Sequence, residues 1–361
     1  MPKTLGILGA GQLGSMLVEG GRVVAPDVRY RGWSPNPADP ALALADSTVV
    51  APYDDPAALQ EFMQGLDGVM LEFENVPLLT VRAIERKGIG VFPGSMPLGV
   101  AQDRWNEKQL CRSLHIPCAE TTLIAKRMPR NRPSKSAYPG FLKTCRDGYD
   151  GRGQFRVGSE AELMRAWEEG AKGQDCVYEK LVPYEFEFSV IVACDRHGNE
   201  FVSEPIVNEH RDNILYRSVC PSDRITEVLR EEARTYALQI AHALDLVGIL
   251  AIEFFAAAQD ESGVLHAVVN EIAPRPHNSG HGSIEAWSVS QFGLLVQIAL
   301  GLPIEPPRLL HRFEMLNLIG EDFYRVDEFM KGPRLAFFHD YRKSEVRKGR
   351  KMGHITYISD L

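Results

Sequence analysis

Ile249-Leu250-Ala251-Ile252-Glu253-Phe254-Phe255 and Leu265-His266-Ala267-Val268-Val269-Asn270-Glu271-Ile272 are two apolar runs joined by a short turn holding Asp260 and Gly263. Apolar runs of this length bounded by turn residues predict consecutive strands. Each carries one acid, Glu253 or Glu271, flanked by apolar residues. If the strands pair, two anions meet in an apolar setting, and like charges across strands are destabilising unless something neutralises them. A divalent cation is the natural partner, because magnesium favours one or two carboxylates together with substrate phosphates. The register cannot be read from sequence, so proximity is an inference at this level. Two acids on the solvent face of an edge hairpin would fit poorly with Asn270 and Arg275 crowding the same turn.

Downstream of the second run come Ala273-Pro274-Arg275 and the polar turn Pro276-His277-Asn278-Ser279-Gly280-His281, with a helix expected from about Ser283. His277 and His281 stand four apart, but Gly280 between them argues against one helical metal-binding face, so they read as ligand-contacting or hydrogen-bonded structural residues. The tail from 303 mixes short strands with Arg342 to Lys351, which holds six positive charges in ten residues. Such a run is usually a solvated face; in an acidic protein it also makes a socket for a substrate phosphate.

Upstream the pattern is β-rich: Phe141 to Thr144, Gln154 to Val157, Cys176 to Lys180, Phe186 to Ala193 and Val202 to Val207, followed by an amphipathic helix over about Arg224 to Ala243. Lys143 ends one of these strands, and Gly148, Gly151 and Gly153 precede the next, giving a hairpin whose amides can fold over a polyphosphate beside a lysine charge. The strand end Glu179-Lys180-Leu181-Val182, stopped by Pro183, offers a backbone edge to an adenine ring, with Glu187 as a candidate for ribose hydroxyls. Between 126 and 135 lies a basic, proline-containing surface connection, and Gln102-Asp103-Arg104 opens a helix through Leu114.

Residues 1–100 read as α/β. A strand, Leu5 to Leu8, enters the turn Gly9-Ala10-Gly11-Gln12-Leu13-Gly14 and a helix from about Leu13 to Glu19; strands at Val69 to Phe73 and Ile89 to Phe92 flank a helix around Leu79 to Arg86. Alternating strands and helices imply a parallel, doubly wound sheet. Trp33 to Pro40 is proline-rich and reads as loop. The glycine turn offers helix N-terminal amides to an anion. A dinucleotide needs an acid at the end of the second strand, and the nearest candidate, Asp27, comes early, so another phosphorylated ligand is an equal alternative.

The charge balance excludes other classes. With 48 acidic and 40 basic residues the net charge is −8, which argues against a dedicated nucleic-acid binder. No apolar run reaches a membrane span, and Met1-Pro2-Lys3-Thr4 passes into strand without a signal-peptide core, so a cytoplasmic location is expected. The six cysteines show no zinc or redox spacing and read as mostly buried reduced thiols.

Taken in order, Gly9 to Gly14, Glu72-Phe73-Glu74-Asn75-Val76-Pro77, Gln102-Asp103-Arg104, Gly148 to Gln154, Asn270 to His281 and Gly349-Arg350-Lys351-Met352-Gly353-His354 resemble the N5-carboxyaminoimidazole ribonucleotide synthase family of the ATP-grasp superfamily, over essentially the whole chain. The resemblance implies a mixed α/β and α+β fold of ATP-grasp architecture. It would comprise an N-terminal Rossmann-like domain (1–101), a two-lobed ATP-grasp domain (102–300) and a small C-terminal domain (301–361). It implies ATP, with magnesium or alternatively manganese, and carboxylation of 5-aminoimidazole ribonucleotide by bicarbonate through carboxyphosphate, by a cytoplasmic homodimer without nucleic-acid or membrane partners. The sibling alternative is a formate-dependent glycinamide ribonucleotide enzyme.

By the same resemblance ATP would be held by Arg104, Lys143, Gly148, Tyr149, Asp150, Gly151, Arg152, Gly153, Gln154, Glu179, Lys180, Leu181, Val182, Glu187, His210, Asn270 and Glu271. The metal would sit on Glu253 and Glu271. Arg275, Lys143 and Asp150 would serve catalysis, with Arg275 steadying charge on the transferred phosphoryl group. The ribonucleotide would contact Gln12, Leu13, Glu74, Tyr149, Asp150, Arg152 and Arg275, its phosphate lying near Lys343 and Arg350.

Overall fold

Three sheets make up the computed structural model, which describes residues 2–126, 132–146, 153–171, 173–258 and 263–361. The first is parallel throughout and contains β1 (Thr4–Leu8), β2 (Arg29–Ser34), β3 (Ser47–Val50), β4 (Gly68–Leu71) and β5 (Val91–Phe92), in the order β3-β2-β1-β4-β5. Helices cover its faces, so β1 and β4 are continuous apolar runs, as a doubly wound sheet requires. Trp33 and Ser34, expected in a loop, belong to β2: the indole is fully buried and donates to the Ala51 carbonyl at 2.9 Å. Burial on the sheet outweighs the proline signal, which takes effect only from Pro35 on.

The first helix runs over Gln12–Val24, past the expected end at Glu19. Gly20 and Gly21 suggest a stop, yet a Cβ on Gly20 would lie 2.9 Å from Phe292 and one on Gly21 1.9 Å from the Tyr30 hydroxyl. The glycines allow close packing against the helix Gln291–Ala299 and β2 rather than ending the helix. That packing fuses the parallel sheet to the largest sheet: Leu5, Ile7, Leu17 and Met70 share one core with Ile191, Ile249, Phe292 and Met315.

A second, antiparallel sheet holds β6 (Thr121–Ile124), β7 (Gly140–Thr144), β8 (Gln154–Val157) and β9 (Cys176–Lys180), in the order β6-β9-β7-β8. The third contains β10 (Phe186–Cys194), β11 (Glu200–Val202), β12 (Ile206–Arg211), β13 (Ile214–Cys220), β14 (Gly248–Ala258), β15 (Leu265–Ala273), β16 (Arg312–Ile319), β17 (Leu335–Asp340) and β18 (Lys351–Ser359). Its order is β15-β14-β10-β12-β13-β16-β18-β17, with β11 on β10. The expected single strand Val202 to Val207 is two, because the chain turns at Ser203–Pro205 and the Ser203 hydroxyl accepts the Ile191 N–H at 3.0 Å. The tail strands are not short: β16 and β18 have eight and nine residues and extend this sheet through β13.

One face of the large sheet is covered by the helix Glu227–Ala243, capped by the Thr226 hydroxyl, which accepts the Leu229 N–H. Its buried residues Leu229, Ala233, Ala237, Ile240 and Ala241 follow the helical period and pack over β10, β14 and β15. The helix expected from Ser283 is a 3₁₀ turn (Asn278–Gly282) running into one short turn, Ser283–Ala286, before Ser290 caps the helix Gln291–Ala299.

Candidate active site

The two acids are brought together. β14 and β15 pair antiparallel with Glu253 opposite Glu271, and a register shift then sets Phe254 opposite Val269. Asn270 is therefore the extra residue of a bulge. Strict alternation would send Asn270 and Glu271 to opposite faces; with the bulge both line the same cavity. Burial pushes the Glu253 carboxyl well above its usual range, and the facing charges of Glu271 and Glu187 push it further. His277 sits against it, Nε2 3.2 Å from Glu253 Oε1, and burial together with Arg275 and Lys351 lowers that imidazole well below its usual value. The nearest partner of Glu253 is thus a neutral ring.

The cavity, about 1350 Å³, opens between all three sheets. From the small sheet come Lys143 on β7 and Glu179 on β9, joined at 2.6 Å. Burial opposes the ionisation of Glu179, but Lys143, Lys108 and Arg104 outweigh it and hold the carboxyl at about 2. Arg104 opens the helix Arg104–Ser113, whose cap Asp103 accepts the Trp105 N–H, and its own N–H donates to the Cys145 carbonyl. The strand end Glu179 to Val182 lines the cavity beside Phe141 and a stacked pair, Tyr184 on Phe255, with centroids 4.4 Å apart. A polar corner adjoins this slot: the Tyr184 hydroxyl donates to Glu187 at 2.7 Å, and His210 Nδ1 lies 3.2 Å from the same carboxylate. Asp212 and Asn213, both at positive φ, turn the β12–β13 hairpin into the cavity wall.

On the opposite wall Arg275 forms an ion pair with Glu74, and both face the cavity. Burial alone would raise Glu74; Arg275 outweighs it, and the carboxyl stays below its usual range. Gln12 and Leu13 also line this wall. The glycine turn lines the cavity as well, but its amides already face an anion that the chain supplies. Glu72, 7% exposed, is that anion: its carboxylate accepts the Leu13 N–H at 3.2 Å and is bonded by the Gly11 amide. A Cβ on Gly9 or Gly11 would lie 2.7 or 2.6 Å from a Glu72 oxygen. The chain's own carboxylate thus occupies these amides at the helix N-terminus, while Gly9 to Leu13 still line the cavity.

Of the residues singled out in the sequence, the cavity gathers Gln12, Leu13, Glu74, Arg104, Lys143, Gln154, Glu179, Lys180, Leu181, Val182, Glu187, His210, Glu253, Asn270, Glu271 and Arg275. Gly148, Tyr149, Asp150, Gly151 and Arg152 lie outside the described residues. Gly153 is described, at φ 68° against Thr144, and is not part of the cavity lining. Lys343 and Arg350 are not in the lining either: Lys343 Nζ donates to the Lys351 carbonyl and Arg350 to the Glu345 carbonyl. Lys351, adjacent in the basic run, lines the cavity instead. In the sequence Glu72 carries no expected role of its own beyond the Glu72 to Pro77 motif, and Tyr184 and Phe255 are passed over, since nothing local signals the stacking of two residues far apart in the chain.

Among the described residues no cluster of three or more histidine, cysteine or acidic side chains is built for a metal. What the chain offers is a register-paired set of two carboxylates whose mutual repulsion Lys351 and Arg275 offset only in part, facing a cavity that also carries Lys143 and Arg104. All-oxygen donors of this number fit a magnesium ion that completes its shell with water and phosphate oxygens.

Comparison with known proteins agrees with this geometry. Family models match a ribonucleotide synthetase preATP-grasp domain at 2–102, an ATP-grasp domain at 109–292 and a phosphoribosylaminoimidazole carboxylase C-terminal domain at 314–361. N5-carboxyaminoimidazole ribonucleotide synthase of Brucella melitensis is 38% identical over 98% of this chain and 96% of its own length, and that of Bacillus subtilis 34% over 98% and 91%. The chain also spans 37% of a bifunctional purine synthesis protein of Dictyostelium discoideum, at 33% identity over 98% of this chain. Among solved structures, the Staphylococcus aureus N5-carboxyaminoimidazole synthetase with ADP has a TM-score of 0.88 at 30% identity, covering 100% of this chain and 95% of that one. The Aspergillus clavatus synthase with ADP and 5-aminoimidazole ribonucleotide has 0.85 at 26%, covering 100% and 94%. The chain belongs to the N5-carboxyaminoimidazole ribonucleotide synthase family of ATP-grasp ligases.

Proposed function

We propose that the chain uses ATP and bicarbonate to carboxylate 5-aminoimidazole ribonucleotide, giving N5-carboxyaminoimidazole ribonucleotide, ADP and phosphate in purine synthesis. The observation that carries this reading is the register pairing of Glu253 and Glu271 in one cavity with Lys143 and Arg275. That arrangement suits phosphoryl transfer, which needs positioning and charge neutralisation more than covalent catalysis.

ATP would enter with its adenine at the strand end Glu179 to Val182, near Tyr184 and Phe255, and its ribose at Glu187 and His210. Lys143 would turn from Glu179 to the phosphates, with Arg104, Gln154 and Asn270 beside it, and Gly148 to Gly153 are further ATP contacts by the family likeness. A magnesium ion, or manganese in its place, would be held by Glu253 and Glu271 and would neutralise phosphate charge. Bicarbonate would take the γ-phosphoryl group, Arg275 balancing the negative charge that builds on it. The resulting carboxyphosphate would break down to phosphate and carbon dioxide, which the substrate amine captures. The ribonucleotide would contact Gln12, Leu13 and Glu74 and, by the family likeness, Tyr149, Asp150 and Arg152, with its phosphate towards Lys343 and Arg350; Lys351, in the same basic run, lines the cavity. A cytoplasmic homodimer belongs to the same family reading. No described helix is long and apolar enough to cross a membrane.

A steady-state ADP-release assay tests the substrate. Release is expected to require bicarbonate and 5-aminoimidazole ribonucleotide together. Release that depends on formate and glycinamide ribonucleotide instead would overturn the assignment in favour of the sibling enzyme.

A further inference from the structure

One buried ion pair lies outside the mechanism above. Glu107 and Lys108, adjacent on the helix Arg104–Ser113, are 3% and 1% exposed, and Lys108 Nζ bonds Glu107 Oε1 at 2.6 Å. Neither side chain ends there. Lys108 also donates to the Asn270 carbonyl, and Glu107 Oε2 accepts the Ile272 N–H at 2.8 Å. The pair therefore grips the backbone on both sides of Glu271, across 162 and 165 residues of sequence.

The grip falls on the bulge. Where β14 and β15 slip register, residue 270 has no partner across the ladder, and buried backbone groups there need another answer. Glu107 and Lys108 supply one acceptor and one donor. Without them the bulge has a competitor, the regular pairing, in which one of Asn270 and Glu271 turns away from the cavity. A buried ion pair is weak as a source of stability but is a known way of fixing one arrangement against another. A pocket of about 40 Å³ between the helix and β15 is lined by both residues and by Asn270 and Glu271, so the pair adjoins the groups it would hold.

We infer that Glu107 and Lys108 are positioning residues, which hold the β15 bulge so that Glu271 and Asn270 both face the nucleotide cavity. The inference rests on the carboxylate pair being the cation site proposed above. The pair would act through the backbone of 270–272, which both side chains bond.

The test is binding of Mn²⁺ in the presence of ADP, followed by electron paramagnetic resonance on the full chain, alongside thermal unfolding and the Mg²⁺ dependence of ADP release. Lys108→Met is expected to weaken Mn²⁺ binding by about tenfold or more, the range for groups that orient metal ligands. ADP affinity without metal should stay within about twofold. Glu107→Gln keeps the side chain's size and an acceptor for Ile272, and carries the comparison if Lys108→Met does not fold; a several-fold loss is expected. Wild-type Mn²⁺ affinity in a folded variant, whatever its melting temperature, would overturn the inference and leave the pair a stability element. Glu271→Gln is the control: if it too binds Mn²⁺ like wild type, the cation reading itself fails, and the positioning role with it.

Discussion

Two carboxylates on this cavity, the buried Glu72 and the partly buried Glu253, have opposite fates. Glu72 sits at the start of the helix Gln12–Val24 and is answered within the chain by the Gly11 and Leu13 amides. Glu253 faces Glu271 in register, and its nearest partner is a neutral imidazole. The first is a closed arrangement: glycines let the backbone approach a charge the protein itself provides. The second is open, because two acids face each other in register and the burial and repulsion that raise Glu253 are only partly offset by Lys351 and Arg275. The proposed cation site rests on the open pair, although the glycine turn has the better-known sequence pattern.

The largest effect expected from this contrast is in Glu271→Gln. Removing half of the open pair should lower turnover by about 10³-fold or more, as loss of a preorganised electrostatic group does, while thermal unfolding stays near wild type. Retained turnover in steady-state assays would make the pair as inert as the closed one. Gly9→Ala should show the reverse pattern. Its φ is 94°, and a Cβ there meets Glu72 and Phe73 at 2.7 Å. Denaturant unfolding should report a loss on the order of 3 kcal/mol from backbone strain and overpacking. ADP affinity of the folded variant should be unchanged, and its loss would return nucleotide to the glycine turn.

The smallest effect concerns Glu72 itself. Burial pushes its carboxyl up to about 6, Arg275 and the two amides only partly offsetting this. The folded state therefore holds the proton more tightly than the unfolded chain. This contribution is complete below the ordinary carboxylate range and is lost as pH rises through about 6. Glu72→Gln should remove that slope, so the gap between the two stability curves changes by about 2 kcal/mol between pH 4 and 7. Parallel curves from urea titrations across that range would show that Glu72 is not the group responsible.

Much of the local structure was legible. Gln154 to Val157 and Cys176 to Lys180 are strands with the expected bounds, and the helix expected to open at Gln102-Asp103-Arg104 is capped by Asp103. The carboxylate pair was legible too, as two acids inside apolar runs. The bulge that aims Glu271 and Asn270 was not, since a one-residue slip leaves no mark in hydrophobic alternation. Trp33 in β2 was hidden by neighbouring prolines, and the continuation of the Gln12–Val24 helix by Gly20-Gly21. In both, burial against distant residues overrode a local signal.

By itself, the order of apolar runs, caps and acids determined which segments become strands and helices, and which residue types could meet phosphate and metal. These follow from periodicity and propensity over a few residues. Which charges are satisfied and which are left open was decided only by the assembled molecule. Leu13 reaches Glu72 across 59 residues, Ile272 reaches Glu107 across 165 and Arg275 reaches Glu74 across 201. Pairings at that separation have no period in the chain; they exist because three sheets close around one cavity and leave each buried charge with whatever partner the packing brings to it.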